Sequence, residues 1–318
     1  MNTTKKKPEL RENPAILAKR RHAAATIREV DPVNRKIRPT AFLAKYGRVL
    51  IGGIIILAVL FCAIFAPLLT QWDPEATNIK EAKMRPGEVG KLDGVEKVHV
   101  FGTDVYGRDM WARLIFGSRN TLIISIGAQC ILMISGTILG LLCGYYTKIE
   151  KYLMRFLDAL ATIPNLLLCL LMVSVFGSGV PNLMIAMSFH GIPGLARMVR
   201  NQVLSLREKE YIESEKAMGA TDLRTVVLHI LPACYSYLLV RFSSGLAGAI
   251  LSMTSLSYLG VGLDPTIASW GGMIQNAQKI MFALPHTFMV PTIAISITVF
   301  GFSMLGDGLR DLLDPKLR

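Results

Sequence analysis

The sequence predicts an all-α polytopic membrane protein with six transmembrane helices. Of its 318 residues, 52% are hydrophobic and 18% are charged, and the mean hydropathy is +0.42. An average soluble domain carries about 25% charged residues, so this composition disfavours a water-soluble globular fold. Long uncharged runs recur along the chain, and a helix of about 20 apolar residues crosses a hydrocarbon layer of about 30 Å.

Residues 1–48 form a basic arm. They contain thirteen Lys or Arg against four Asp or Glu, so most of the formal net charge of +12 lies before the first apolar run. Basic segments beside membrane helices stay in the cytoplasm, and the arm therefore predicts a cytoplasmic N-terminus with anionic lipid nearby. The arm lacks the aromatic interleaving that favours RNA. We expect no nucleic-acid partner.

The apolar runs divide the rest of the chain into three parts. Residues 49–70 are the first predicted transmembrane helix, residues 71–118 a polar extracytoplasmic loop, and residues 119–318 a core. Within the core, five further spans are predicted at about Thr121–Tyr145, Tyr152–Phe176, Asn182–Val199, Val226–Leu259 and Pro285–Leu305. Glycines that recur three or four residues apart predict close packing of these helices. They include Gly136, Gly140, Gly245 and Gly248.

The distribution of Lys and Arg predicts the orientation. With the arm inside, the cytoplasmic segments include basic clusters near residues 148–155, 197–224 and 310–318. The short external loops are nearly free of positive charge, since residues 177–181 have none and residues 260–284 have only Lys279. By the positive-inside rule, both termini are predicted to be cytoplasmic.

The segment 210–232 predicts a helix, a sharp turn and a second helix. Residues 213–218 include good helix formers, Gly219 suits a left-handed C-cap, and Asp222 can cap the next helix. An amphipathic helix that projects from the cytoplasmic face has a shape suited to a groove on another protein, and a solvated loop is the alternative. The apolar side chains expected on the docking side are Tyr211, Ile212 and Met218.

This segment resembles the EAA motif of permease subunits in binding-protein-dependent ABC importers. That pattern is Glu-Ala-Ala, three residues, Gly, and about a dozen residues to a closing Leu-Pro. Here Ser214 and Glu215 replace the two alanines, and the closing His229–Pro232 resembles the C-type permease of the dipeptide and oligopeptide branch. The resemblance implies a coupling helix, at about 208–222, that docks into an ATPase. The coupling-loop residues are Tyr211, Glu213, Ser214, Glu215, Ala217, Gly219, Asp222, Leu231 and Pro232.

Three more segments resemble the same branch, in family order. The L-S-F-L-G-x-G and S-W-G elements of the branch are similar to Leu256–Gly262 and Ser269–Gly271. Its terminal G-D-x-L-R-D-x-L-D-P is similar to Gly306–Pro315. Phe101–Asp109 resembles its F-G-T-D-x-x-G-R-D signature. The residues of that extracytoplasmic signature are Gly102, Thr103, Asp104, Gly107, Arg108 and Asp109.

The resemblance implies the type I ABC importer permease fold in a prokaryotic inner membrane. It further implies a second, homologous permease, two cytoplasmic ATPases and an extracytoplasmic substrate-binding protein as partners. The chain has no G-x-x-x-x-G-K-[ST] loop to hold nucleotide phosphates. We therefore expect no catalytic site and no bound cofactor in this chain, with ATP and Mg²⁺ on the partner subunits. The five cysteines show no CxxC spacing, so no metal site is expected.

Two groups of charged residues allow more than one interpretation. Asp104, Arg108 and Asp109 either pair within a compact turn or contact the binding protein. Arg241 lies midway along an apolar run, where a charge normally faces a bundle interior or a water-filled cavity. It either lines the translocation path and helps to pass the carboxylate of a peptide, or pairs with a carboxylate of the second permease.

The predicted function is the permease subunit of an ATP-driven importer of dipeptides or oligopeptides. Nickel or another small solute, imported by the same mechanism, is the alternative substrate. A carrier driven by an ion gradient would need acidic or histidine relays near the membrane midplane, and only Asp158 is a candidate. A membrane-embedded enzyme would need a cluster such as H-E-x-x-H, which the sequence lacks.

Overall fold

The computed structural model describes residues 39–92 and 95–313. The basic arm up to residue 38 and the last two residues of the terminal signature, Asp314 and Pro315, lie outside the described residues. Of the described residues, those from 46 onward form one compact unit. The longer helices are α1 (Pro39–Ile64), α3 (Met110–Tyr145), α4 (Thr147–Ala161), α5 (Asn165–Phe176), α6 (Val180–Arg207), α9 (Leu231–Tyr258) and α11 (Pro285–Leu313).

Shorter elements connect these helices. After α1 come α2 (Ala66–Leu69), a 3₁₀ turn (Ile79–Glu81) and an antiparallel hairpin of β1 (Val89–Leu92) and β2 (Val95–Val98), in which Val89 pairs with Val98. Between α6 and α9 lie α7 (Glu210–Ala217), α8 (Asp222–Thr225) and a π-helix (Val226–Ile230). A last short helix, α10 (Trp270–Ala277), precedes α11.

Within the described residues, four helical segments are long and apolar enough to cross a membrane. They correspond to the first, second, fifth and sixth predicted spans, and α4 with α5 would add a fifth crossing if counted as one broken span. The helix α6, at the fourth predicted span, has 28 residues but is not among the four. The count of six spans and the side of the termini stay predictions. The four segments are Tyr46–Ile64, Met110–Tyr145, Asp222–Tyr258 and Pro285–Leu313.

The third predicted span, at about Tyr152–Phe176, is interrupted rather than one continuous helix. The structure divides it into α4 and α5, whose axes meet at 95°. Pro164 causes the break, because proline has no N–H for the helix ladder and the residue before it is pushed away from helical geometry. Pro164 itself has extended backbone, with φ −56° and ψ 136°. The helix therefore stops at Ala161 and restarts at Asn165.

Two boundaries of the predicted first loop also differ. The first helix ends at Ile64 rather than residue 70, and the short α2 follows it. At the other end α3 begins at Met110, not at residue 119, because the Asp109 side chain caps it by accepting the N–H of Ala112 at 2.7 Å. The polar loop is thus shorter than predicted and contains a hairpin.

Close helix contacts hold the core together, as the glycine spacing predicted. Along the α3–α6 contact, a Cβ at Gly136 would lie 2.8 Å from Leu195, and a Cβ at Gly140 would lie 2.6 Å from Val199. Neither position leaves room for a side chain, so the two helices approach closely there. The prediction is wrong for Gly248, which has no heavy atom within 4 Å of such a Cβ.

Candidate functional site

The predicted helix, turn and helix between α6 and α9 are present. Helix α7 ends with Ala217, and Gly219 reverses the chain with φ +87°, a left-handed conformation that suits glycine. The N–H of Gly219 donates to the carbonyl of Lys216 at 2.9 Å, and the N–H of Ala220 donates to the carbonyl of Glu215 at 3.2 Å. These bonds satisfy carbonyls at the end of α7 and set the direction in which α8 leaves.

One face of α7 packs against the protein. Ile212 is fully buried among apolar side chains that include Val203 and Ile230. Glu215 is 8% exposed, and its carboxylate oxygen lies 3.0 Å from Nε2 of His229, at the end of the π-helix. The prediction that Ile212 is available for docking is therefore wrong. Glu215 also points inward, because it sits one helical turn from Ile212 on the same face of α7.

Contacts with the end of α3 hold this segment in place. The Tyr145 hydroxyl donates to the Asp222 carboxylate at 2.7 Å, and Lys216 Nζ lies 4.9 Å from the centre of the Tyr145 ring. A guanidinium nitrogen of Arg207, at the end of α6, donates to the Tyr145 carbonyl at 3.2 Å. Tyr145 thus ties together the residues before, within and after α7.

The opposite face of α7 and the following turn carry exposed apolar side chains. Tyr211 is 48% exposed, Met218 81% and Leu223 74%. Polar and small side chains lie exposed between them, including Glu213 and Ser214. We define the coupling surface as the exposed residues Tyr211, Glu213, Ser214, Ala217, Met218 and Leu223.

The closing Leu231-Pro232 shapes the start of α9. Pro232 lacks an N–H and its ring crowds the carbonyl of Leu228, so the ordinary helix ladder cannot run through it. The chain instead forms a π-helix over Val226–Ile230, and the N–H of Leu231 donates to the carbonyl of Val226. This wider turn joins the coupling surface to α9 without a break in the helix.

A buried charged cluster lies in the first polar loop. Asp104 accepts the Nε–H of Arg108 at 2.7 Å, and both side chains are at least 93% buried. Gly102 and Gly107 have φ of +71° and +73°, which lets the chain turn twice around this pair. Thr103 accepts the N–H of Met84 at 2.9 Å. Asp104 and Arg108 therefore pair within a compact turn, one of the two arrangements expected from the sequence.

Asp109 has a partner that sequence reasoning missed. Nδ1 of His99 lies 2.7 Å from one oxygen of Asp109, and both side chains are 1% exposed. The Trp72 ring stacks on His99 with 4.2 Å between ring centres, and Glu81 lies 3.5 Å from the other ring nitrogen. A histidine two residues before the signature, and ten before Asp109, is the single sequence signal.

Two arginines join this loop to the segment before α10. Arg113 donates to the carbonyls of Pro74 at 2.8 Å and Thr266 at 3.3 Å, and Arg108 donates to the carbonyl of Pro265 at 3.2 Å. Next to them, the Thr266 hydroxyl and backbone N–H both donate to Asp264 and lower the pKa of its carboxyl. Asp264 is exposed, so this face presents a carboxylate that is ionised at neutral pH.

Two family models match this chain. The family model described as binding-protein-dependent transport system inner membrane component matches residues 136–318, more than half of the chain. This chain is a member of that family. The model for the N-terminal TM domain of oligopeptide transport permease C matches residues 48–86. The protein is thus a transport permease subunit and an inner membrane component, as predicted.

Curated relatives cover most of this permease. The dipeptide transport system permease protein DppC of Alkalihalophilus pseudofirmus is 36% identical over 87% of this chain and 88% of its own length. The glutathione transport system permease protein GsiD of Pectobacterium atrosepticum is 40% identical over 71% of this chain and 75% of its own. The oligopeptide transport system permease protein OppC of Bacillus subtilis is 36% identical over 85% and 86%.

A solved structure shows the same fold. A chain of the MetNI methionine ABC transporter, in an inward-facing conformation, superposes with a TM-score of 0.50 at 18% identity, covering 64% of this permease and 98% of that chain. The predicted all-α fold of an ABC importer permease is confirmed. The family and the fold together support the importer subunit over a carrier driven by an ion gradient. Asp158, the acidic residue considered for such a carrier, forms an ion pair with Arg197 of α6.

Arg241 lies on α9, ten residues after its start and seventeen before its end. Its side chain is exposed, and its guanidinium makes no hydrogen bond or ion pair with the residues that the structure describes. It is far along the chain from both the coupling surface and the buried charged cluster. The sequence identified this residue correctly as a charge within an apolar helix.

Proposed function

We propose that this permease and a second, homologous permease form the path through which an ATP-driven importer moves peptides across the inner membrane. An extracytoplasmic binding protein delivers the peptide, and two ATPase subunits hold ATP and Mg²⁺ and hydrolyse the nucleotide. The names of the relatives favour a peptide over nickel, since they are permeases of dipeptide, oligopeptide and glutathione systems. Both termini and the coupling surface face the cytoplasm.

The coupling surface is the observation that carries this proposal. Met218 and Leu223 are 81% and 74% exposed, so packing within this chain does not account for apolar side chains at these two positions. The other face of α7, by contrast, is tightly packed. Exposed apolar side chains grouped on a projecting helix fit a groove on a partner. The contacts of Tyr145 with Asp222 and Lys216 join this helix to α3. Movement of the ATPase would therefore reach the membrane helices.

The two ends of the coupling segment support a mechanical role. The π-helix makes the connection to α9 continuous, and Arg207 ties the end of α6 to Tyr145. A displacement of α7 is thus applied to α3, α6 and α9 together. ATP binding and hydrolysis on the partner subunits would shift the balance between inward-open and outward-open arrangements through this segment.

Affinity purification tests the assembly. The chain, tagged at its C-terminus and extracted in mild detergent, is expected to bring down a homologous permease and ATPases that contain Walker motifs. Ser214→Cys should crosslink to an ATPase. Ser178→Cys, an exposed serine in the turn between α5 and α6, is the matched control and should not. Recovery of the chain alone, with no ATPase crosslinked at 214, would contradict the proposal.

Transport by the purified complex tests the substrate class. In proteoliposomes with the ATPases and ATP in the lumen and the binding protein outside, the complex is expected to accumulate labelled di- or tripeptides in the lumen. Nickel is the comparison substrate. Uptake of nickel without uptake of any peptide would leave the importer assembly intact and replace the proposed substrate.

A further inference from the structure

Helix α9 carries a polar stripe along one face. At about 100° per residue, positions spaced three, four and seven apart fall on the same side of a helix. The residues that share this side are all exposed, and most are polar or small. We define the α9 stripe as Tyr237, Arg241, Ser244, Gly248 and Ser255. Leu251, which is also exposed, is the large aliphatic side chain on the same side. Gly248 leaves open space on it, since no heavy atom lies within 4 Å of an added Cβ.

The adjacent flank of α9 has the opposite character. Tyr235, Leu238, Leu239 and Phe242, with Met133 of α3, line an apolar groove of about 320 Å³. Such a flank suits lipid tails or an apolar neighbour. The hydroxyls and the guanidinium of the α9 stripe are unsuited to lipid tails, because polar groups in hydrocarbon lose their hydrogen bonds to water. The two sides of one membrane helix therefore face different surroundings.

The apolar stretches of the described residues offer Arg241 no counter-charge. The apolar stretches at 121–145, 165–196, 226–258 and 285–306 contain no Asp or Glu, and Arg241 is their single charged residue. In the described residues its guanidinium has no hydrogen-bond or ionic partner. A charge in a membrane helix is stable where it meets water or an anion. Any anion that pairs with Arg241 would therefore come from a partner subunit or from the transported molecule.

We infer that the α9 stripe lines the water-filled translocation path and that Arg241 binds the C-terminal carboxylate of a passing peptide. The inference rests on the proposed peptide-import function and deepens it. The guanidinium fork matches a carboxylate with two parallel hydrogen bonds, and every unmodified peptide carries that group whatever its side chains. One arginine can therefore recognise the whole substrate class. Water around the stripe keeps this binding weak enough for release.

Cysteine labelling tests whether the stripe is wet. Arg241→Cys is compared with Leu239→Cys, which lies on the apolar flank and is 56% exposed. Complexes in proteoliposomes receive a charged methanethiosulfonate reagent, and the chain with its five native cysteines is the background. We expect position 241 to react at least tenfold faster than position 239. Equal or slower reaction at 241 would overturn the inference and favour a dry ion pair with the second permease.

In the assembled complex, cationic and anionic thiol reagents attached to the Arg241→Cys variant test whether the positive charge of the guanidinium matters. Arg241→Cys should lower peptide uptake severalfold, a cationic reagent should restore most of it, and an anionic reagent should not. Equal uptake after both reagents contradicts a carboxylate-binding role. A peptide amide that the purified binding protein still binds is the second substrate. The wild-type complex should move the acid faster than the amide, and Arg241→Gln should abolish that preference.

Failure of the proposed function is separable from failure of this inference. If the wild-type complex moves no peptide, the substrate assignment fails, while the labelling rates at 241 and 239 still report whether the stripe is wet. If the wild-type complex moves peptides but position 241 is unreactive, the importer stands and the role of Arg241 falls. Loss of the second permease during purification of Arg241→Gln would assign Arg241 to the subunit interface and likewise overturn the inference.

Discussion

The buried charged cluster of the first polar loop and the coupling surface both carry charged motif residues, but they use them differently. Asp104, Arg108 and Asp109 are at most 5% exposed and each has a partner within the chain. On the coupling surface, Glu213 is exposed beside Met218, which is 81% exposed. Burial, rather than charge, thus separates a motif that holds a loop together from a motif that leaves its side chains exposed.

The physical reason lies in what each residue loses when it is changed. A buried charge has given up its water, so removal of its partner leaves it unsatisfied and destabilises the fold by several kcal/mol. An exposed side chain keeps its hydration in the folded chain, so its substitution changes the free energy of unfolding little. Mutations in the two regions should therefore separate stability from assembly.

The largest expected effect is that of Asp109→Ala. It removes the partner of His99 and the N-cap of α3 together, and should lower the free energy of unfolding by about 3–5 kcal/mol. Thermal unfolding of the purified chain in detergent measures it. Asp311→Ala is the control, since Asp311 pairs with Arg48 at the exposed surface, where such pairs contribute about 0–1 kcal/mol. Equal shifts in the two variants would contradict the comparison.

Two glycines with similar backbone sharpen the comparison. In Gly107→Ala the new Cβ would lie 1.8 Å from the carbonyl oxygen of Asn78, whereas in Gly219→Ala nothing lies within 4 Å. Both have positive φ, so both variants lose about 1–2 kcal/mol from backbone strain alone. Gly107→Ala should lose clearly more, because backbone must also move. Paired denaturation curves measure the difference, and a smaller loss for Gly107→Ala would show that the loop yields easily.

A smaller effect is expected for Tyr145→Phe. The substitution removes the hydrogen bond to Asp222 and keeps the ring near Lys216, so stability should fall by about 1 kcal/mol. If Tyr145 transmits movement, ATP hydrolysis by the assembled complex should respond less to the loaded binding protein. Trp111→Phe, which removes the indole hydrogen bond to the carbonyl of Leu69, is a control of similar size. An unchanged response in Tyr145→Phe would remove this residue from the coupling route.

The smallest effect on stability is expected for Met218→Asp. The side chain is 81% exposed, so unfolding should change by less than about 0.5 kcal/mol. Co-purification of ATPase should nevertheless fall at least tenfold, because the substitution places a charge in an apolar contact. Phe282→Asp, at a side chain 91% exposed before α11, is the matched control and should keep the ATPase bound. Retention of the ATPase by Met218→Asp would show that it docks elsewhere.

Local sequence determined which segments are apolar enough to cross a membrane and where the chain turns after α7. Apolar runs depend only on composition over about twenty residues, the same scale on which hydrocarbon selects a helix. The turn at Gly219 depends on one residue and its neighbours along the chain. These features could therefore be predicted, and so could the family, because its motifs are short and keep their order.

Only the tertiary structure decided which motif residues face inward. Glu215 and His229 are fourteen positions apart and meet because α7 folds back beside the π-helix. Arg113 donates to the carbonyl of Thr266, 153 residues away, and His99 reaches Asp109 across the turns of residues 100–108. The 95° angle between α4 and α5 likewise depends on α6, against which both pack. Burial and pairing are set by which elements come together in space, and no pattern along the chain records that.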